Sequence, residues 1–290
     1  MRAELVMTLS LVGTACATIP PPPVTGYRHV YVAEQHGEER AHETQVEVLD
    51  ALHAQGVTLE VGVEWLPREA QPALDRWVGG EISEEDLAEA VGWKKAWGAE
   101  MAGYLLVFRW AREHGVPMVG LNAPVGLARR FARGGRAGLD EADVARMPPL
   151  DTANEAQHAW FCAWMQELMG DHGDKDKHGA DGAHKPKEAP PETDEEATFQ
   201  CEGVPPRYYL AQVLRDEAMA QAAAERMEAM DGGTFVVLAG LGHIVFGLGI
   251  PERVRALTGE PYLTVAPEYI DPDEPAERDG RPWIHARWPD

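Results

Sequence analysis

The sequence predicts an α/β domain: a mainly parallel sheet flanked by helices on both faces, interrupted by a disordered insertion. Three observations predict it. Short apolar runs punctuate the chain, the stretches between them carry helical periodicity, and the apolar content is ample for one real core. Strands separated by helices are the pattern of parallel pairing, because a parallel connection has to cross the sheet.

"RHVYVA" is the first strand. A helix from about Arg40 follows, with Gln45, Leu49 and Leu52 on one face and Gly56 as its stop. "VTLEVGVEW" is the second strand. The next helix holds Ala70, Leu74 and Trp77 and ends at Gly79 and Gly80, and Ser83 with Asp86 forms a capping box for another. "WKKAWGAEMAGYLLVFRWAREHG" reads as a single helix with Trp93, Trp97, Met101, Tyr104 and Phe108 at helical spacing, a stripe that suits a core. "VPMVGLN" is the third strand. After two or three helices and a polar insertion, "RYYLAQVLRDEAMAQAAAERMEAM" is one long helix, followed by "TFVVLAG" and "PYLTVAP" as fourth and fifth strands. The expected domain spans 27–270, with a tail over 271–290.

The remaining segments have a different character. "MRAELVMTLSLVGTAC" carries one Arg, an apolar run and small residues ending at Cys16, the shape of a secretion signal over residues 1–16 whose cysteine is a lipidation candidate. The prolines of "IPPPPVTG" make residues 17–26 an extended tether. The expected location is therefore the bacterial envelope, outer membrane or periplasm, with membrane contact only through an N-terminal lipid. Residues 170–200, rich in Gly, Asp, Lys, His and Pro, bury too little to offset their ordering entropy. His172, His178 and His184 there suit loose metal uptake, and a solvated linker is the plainer reading. Cys162 and Cys201 bracket the insertion. In an exported chain they either form a disulfide closing it or stay two buried thiols. A formal net charge of −22, from 26 basic against 48 acidic residues, argues against a nucleic-acid partner.

Polar residues recur where strands end. Glu34 and His36 follow the first, Glu64 ends the second, Asn122 the third, and His243 in "AGLGH" follows the fourth. In a parallel sheet these positions share the carboxyl edge, where open α/β sheets bind ligands. Two histidines and two glutamates suit a divalent transition metal, with Glu34 or Glu64 left as catalytic base of a hydrolase, or equally one axial ligand to haem iron. Structural roles compete at each position: a hydrogen-bonded loop for His36, a salt bridge to an arginine such as Arg253 for Glu64, and a helix cap for Asn122. His42 lies on the core side of its helix with Gln45, as packing or as support to the site.

At these residues the chain resembles the ChaN-type haem-binding lipoproteins, in a superfamily with Tiki proteins, TraB proteins and erythromycin esterases. "AEQHGEERAHETQ" matches the family's opening G-E-x-H with its second histidine and glutamine, Ala33 standing for the glycine. "VGVEWLPREAQPALDRWVGGEIS", "VPMVGLNAP", "YYLAQVLRDEAMA" and "VVLAGLGHIVFGLGIPERV" match later segments, through Arg253. The resemblance runs over most of 28–257, omitting the insertion. It implies haem or iron handling outside the cytoplasm, with His36 and His243 in the site, and a homodimer holding haem by His and Tyr ligands. Tyr104 and Tyr208 are the nearest candidate phenolates. Other branches of the superfamily imply metal-dependent hydrolysis with the same residues.

Overall fold

The computed structural model describes residues 23–172, 199–268, 277–278, 281–282 and 284–288. The expected signal, residues 17–22 of the expected tether and residues 173–198 of the expected insertion lie outside the described residues. In β1 (His29–Glu34) every residue is buried. Val30 and Val32 enter one core while Tyr31 and Ala33 enter the other. The strand reads as an unbroken apolar run because successive side chains point to opposite faces and both faces are covered.

The chain continues through α1 (Glu39–His53), β2 (Leu59–Pro67), α2 (Gln71–Val78), α3 (Glu84–Ala90), α4 (Trp93–Ala96), α5 (Leu105–His114) and β3 (Met118–Asn122). Then come α6 (Leu127–Gly134), α7 (Glu141–Ala145), α8 (Glu155–His172), α9 (Pro206–Ala229), β4 (Thr234–Gly240), α10 (Ile250–Thr258) and β5 (Tyr262–Pro267). A two-residue ladder, β6 (Glu277–Arg278) with β7 (Arg281–Pro282), precedes β8 (Ala286–Trp288).

Six strands form one sheet in the order β3-β2-β4-β1-β5-β8, and every neighbouring pair is parallel. Leu49 of α1, Leu74 and Trp77 of α2 and Phe108 of α5 cover one face with Val61, Val63 and Leu238. On the other face, Phe131 of α6, Phe161 of α8, Leu214 of α9 and Val254 of α10 pack against Leu121, Phe235 and Val237. The α/β class read from the sequence is the class observed.

Two local departures matter. The single helix expected over 93–115 is two, α4 and α5. Gly98 takes a left-handed φ of 87° just past α4, and Trp97 lies in the break. In addition, β8 adds an edge strand in a stretch where the apolar pattern gave no signal. Among the described residues no helix is long and apolar enough to cross a membrane.

Candidate functional site

Strand register assembles the site. Glu34 pairs with Gly240 across β1 and β4, and Glu64 stands one residue beyond the Val63–Leu238 pair of β2 and β4. Two carboxylates therefore reach the same edge of the sheet, either side of β4, and both are fully buried. A buried carboxylate is tolerated only when donors surround it.

Glu34 has them. Trp65 Nε1 donates to Oε1 at 3.1 Å, Gln45 Nε2 donates to Oε2 at 2.9 Å, and His36 Nδ1 lies 2.7 Å from Oε1. A carboxylate only accepts, so this contact places a proton on Nδ1 of His36 and leaves Nε2 with the lone pair when the ring is neutral. Since Gln45 turns its amide nitrogen to Glu34, its oxygen faces His42 Nδ1 at 3.1 Å. His42 Nε2 is buried without a hydrogen-bond partner among the described residues. His42 thus backs Gln45, which backs Glu34.

The His36 ring is half-exposed, with 46% of its side chain accessible. One edge meets Trp97 at 4.8 Å between centroids, and another lies over Gly240. A Cβ built on Gly240 would stand 2.6 Å from Cε1 and 2.7 Å from Nε2 of His36. The glycine is needed here for close approach, since its backbone, φ −58° and ψ 145°, is open to any residue. His36 Nε2 is 3.9 Å from Glu64, beyond hydrogen-bond reach. Burial alone would lower the pKa of His36, but its bond to Glu34 and the charge of Glu64 carry it above the ordinary value.

Glu64 accepts from the Gly240 N–H at 2.6 Å and from the Arg215 guanidinium of α9, with His243 Nε2 3.4 Å away. Burial would raise its pKa, yet His243 and Arg215 hold it well below the usual carboxylate range. His243 is buried between two acids, with Nδ1 2.5 Å from Asp216. Burial would lower it too, but Glu64 and Asp216 push it up to about 9, so it is an imidazolium at neutral pH with no lone pair to offer. Behind it, Gln157 of α8 donates to Asp216 at 2.6 Å, and Arg253 donates to Gln157 at 2.9 Å and to Glu217 at 2.9 Å.

Of the sequence-derived candidates, Glu34, His36, Glu64 and His243 converge at this edge, and His42 and Gln45 stand behind Glu34. Asn122 spends its amide on backbone, donating to Glu64 O and accepting from Ala123 N, both at 2.8 Å, which ties β3 to β2, and it also lines the cavity described below. Arg253 does not pair with Glu64 as its structural role anticipated; Arg215 does, and Arg253 serves Glu217 and Gln157. Tyr104 is buried, with its hydroxyl receiving Trp97 Nε1 at 2.9 Å, and burial with the nearby Glu34 charge raises its pKa above the ordinary phenol value. Tyr208 is 40% exposed on α9, one face with Gln212 and Arg215 by helical spacing. Cys162 and Cys201 are joined by a disulfide. Arg215, Asp216, Gln157 and Trp65 were not singled out from the sequence, and Trp97 was read there only as part of a core stripe. A signal did exist for the first two: three consecutive charges, Arg215-Asp216-Glu217, inside an Ala-rich helix cannot all face solvent.

Beside this cluster a cavity of about 240 Å³ is lined by Trp65, Pro67, Trp97, Pro124, Val125, Arg129 and Arg215, among others. A half-polar lining that combines the face of Trp97 and two prolines with two guanidiniums, next to a half-exposed imidazole, suits a planar ligand that carries carboxylates and takes a nitrogen ligand. Haem has those properties. Pockets that enclose drug-sized ligands run to about 300–1,000 Å³, so this one would take part of a macrocycle and leave the rest exposed. A divalent cation fits less well, because Arg215 already supplies the positive charge opposite Glu64.

A family model described as "Haem-binding uptake, Tiki superfamily, ChaN" matches residues 23–254. No curated protein matches the chain. Among solved structures, the one titled "Cofacial heme binding to ChaN of Campylobacter jejuni" is similar with 16% identity and a TM-score of 0.53, over 85% of this chain and 84% of that one. The type III effector HopBA1 matches at 14% identity and a TM-score of 0.44, over 95% of this chain and 98% of that one. An erythromycin esterase, EreC, matches at 14% and 0.42, over 87% and 74%. At 16% identity the likeness to the ChaN structure concerns the fold alone.

Proposed function

Because the chain belongs to the ChaN-type haem-binding uptake family of the Tiki superfamily, we propose that it binds haem at the carboxyl edge of its sheet and serves haem or iron uptake in the bacterial envelope. The observation that carries the reading is His36: half-exposed, its Nδ1 fixed by buried Glu34, its Nε2 without a hydrogen bond among the described residues. A histidine whose far nitrogen is anchored by a carboxylate is oriented and made more basic for iron. Trp97 offers flat surface to the macrocycle, and Arg129 and Arg215 offer cations to its carboxylates. Bound haem would supply an iron centre; the protein's own residues orient it and exclude water from one side. Exposed Val125 and Tyr208 fit a second copy of the chain closing over the uncovered face, as a homodimer. The signal-like N-terminus with Cys16 supports export and a lipid anchor.

A hemin titration followed at the Soret band tests this. The full chain should give a saturable shift that His36→Ala abolishes and that His243→Gln, which removes no iron ligand, retains. A spectrum indistinguishable from free hemin, or an unchanged titration for His36→Ala, rejects the assignment.

A further inference from the structure

A second constellation of metal-binding groups lies outside the strand edge. His158 and Cys162 stand one turn apart on α8, and Cys201 comes to them from the segment before α9. His158 Nε2 is 3.3 Å from Cys162 Sγ and 3.6 Å from Cys201 Sγ. Among the described residues these three alone form a group of ligand atoms mutually within 4.8 Å. The surroundings fix the imidazole: Tyr209 and Phe199 stand against its ring at 4.8 and 5.6 Å between centroids.

These distances have a meaning beyond a disulfide with a neighbouring histidine. In a tetrahedral zinc site, with Zn–N about 2.0 Å and Zn–S about 2.3 Å, the nitrogen–sulfur edges are about 3.5 Å and the sulfur–sulfur edge about 3.8 Å. Both nitrogen–sulfur separations are already at that edge length. Only the two sulfurs have to part, and their Cα atoms, 5.3 Å apart, need not move for that.

We propose that, with its thiols reduced, the chain holds a thiophilic divalent cation of the zinc class between His158, Cys162 and Cys201, and that closing the disulfide expels it. Release balances with a disulfide oxidant: two metal-bound thiolates give their two electrons to an external disulfide, small-molecule or protein, which leaves as two thiolates while Cys162 and Cys201 join and the cation departs unchanged. Three protein ligands leave a fourth position open, the pattern of an exchangeable rather than a purely structural zinc site. The site is independent of haem, since no residue of it lines the strand edge.

Cobalt(II) is the probe, because thiolate-to-cobalt charge transfer reports cysteine ligation and is blind to histidine-only binding elsewhere in the chain. The full chain, reduced with a phosphine, should take up one equivalent with charge-transfer and intense tetrahedral d–d bands, and zinc should displace it. The oxidised chain should show neither band. Cys162→Ser and Cys201→Ser should each lose the charge-transfer band, and His158→Ala should weaken binding at least tenfold. The absence of the band in the reduced wild type overturns the proposal, as does its survival in Cys201→Ser. A reduced chain that loses its far-UV circular dichroism also overturns it, because the site requires α8 folded around free thiols.

Discussion

Gly240→Ala isolates the seat of His36 from every other part of the site. The backbone at this position accepts alanine without strain, so the only new term is the methyl group, 2.6 and 2.7 Å from two atoms of the His36 ring and 3.4 Å from Glu64 Oε2. Ordinary carbon contacts begin near 3.5 Å, so the ring has to retreat by roughly 1 Å. His36 is half-exposed and can do so cheaply. Its loss of register with Glu34 forfeits a hydrogen bond to a charged group, about 1.5–3 kcal/mol at most, while Trp65 and Gln45 still satisfy the carboxylate. Stability should fall by no more than that, but the imidazole no longer points where Glu34 aimed it. Disturbing the orienting partner of an iron ligand costs about 10–100-fold in affinity. Hemin titration should give a dissociation constant raised by that factor, with the cooperative urea transition retained. Wild-type hemin affinity in Gly240→Ala, with the fold intact, would refute the argument that His36 works from its place over this glycine.

Other consequences follow from the same geometry. His243 has a folded pKa of about 9 against an ordinary value near 6.5. Its contribution, on the order of 3 kcal/mol, is complete below about pH 6.5 and lost as pH rises through 9; urea unfolding across that window should show the decline, and His243→Gln should flatten it. Arg215→Met removes the guanidinium from buried Glu64, which keeps His243 and the Gly240 N–H. The loss should sit at the low end of the about 3–5 kcal/mol for a broken buried pair, as a lower urea midpoint at unchanged slope; an unchanged midpoint contradicts the pairing. Glu34→Gln keeps the shape but withdraws the charge that helps raise His36, so hemin binding should weaken about 10–100-fold and its acid limb should move to lower pH. Reducing the Cys162–Cys201 bond, which spans a sequence separation of 39, should cost up to about 4 kcal/mol on chain entropy alone, read from thermal melts with and without reductant.

The five strands apparent in the sequence were legible because a sheet covered on both faces concentrates apolar residues into short runs that survive any uncertainty about helix packing. The convergence of Glu34, Glu64 and His243 was legible for a related reason: parallel strands all point the same way, so a polar residue at each strand end lands at one edge whatever the strand order. The break between α4 and α5 was not. The stripe of Trp93, Trp97, Met101, Tyr104 and Phe108 keeps helical spacing through it, and what turns Trp97 toward His36 is tertiary contact that periodicity does not contain. The partner of Glu64 was missed for the same kind of reason. Both Arg215 and Arg253 follow at plausible places in the chain, and only the approach of α9 across the sheet decides that Arg215 reaches the carboxylate while Arg253 turns to Glu217 and Gln157.

The distribution of charge at the edge also separates the two chemistries that the same residues could serve. A hydrolytic metal needs anionic and neutral ligands facing a vacant centre, with a water whose pKa the cation lowers. Here Glu64 faces Arg215 and a protonated His243, so the centre between β2 and β4 is already neutralised, and a divalent ion would have to displace a guanidinium and strip a proton from an imidazolium held by Asp216. His36 is differently placed. Its proton is kept on Nδ1 by Glu34, its half-exposed ring stands against Trp97, which lines the arginine-rimmed cavity, and its other nitrogen lies over Gly240, 3.9 Å from Glu64. A half-exposed imidazole nitrogen with no hydrogen bond among the described residues suits an iron that arrives with its own four equatorial ligands better than a bare cation that needs the protein to supply them all.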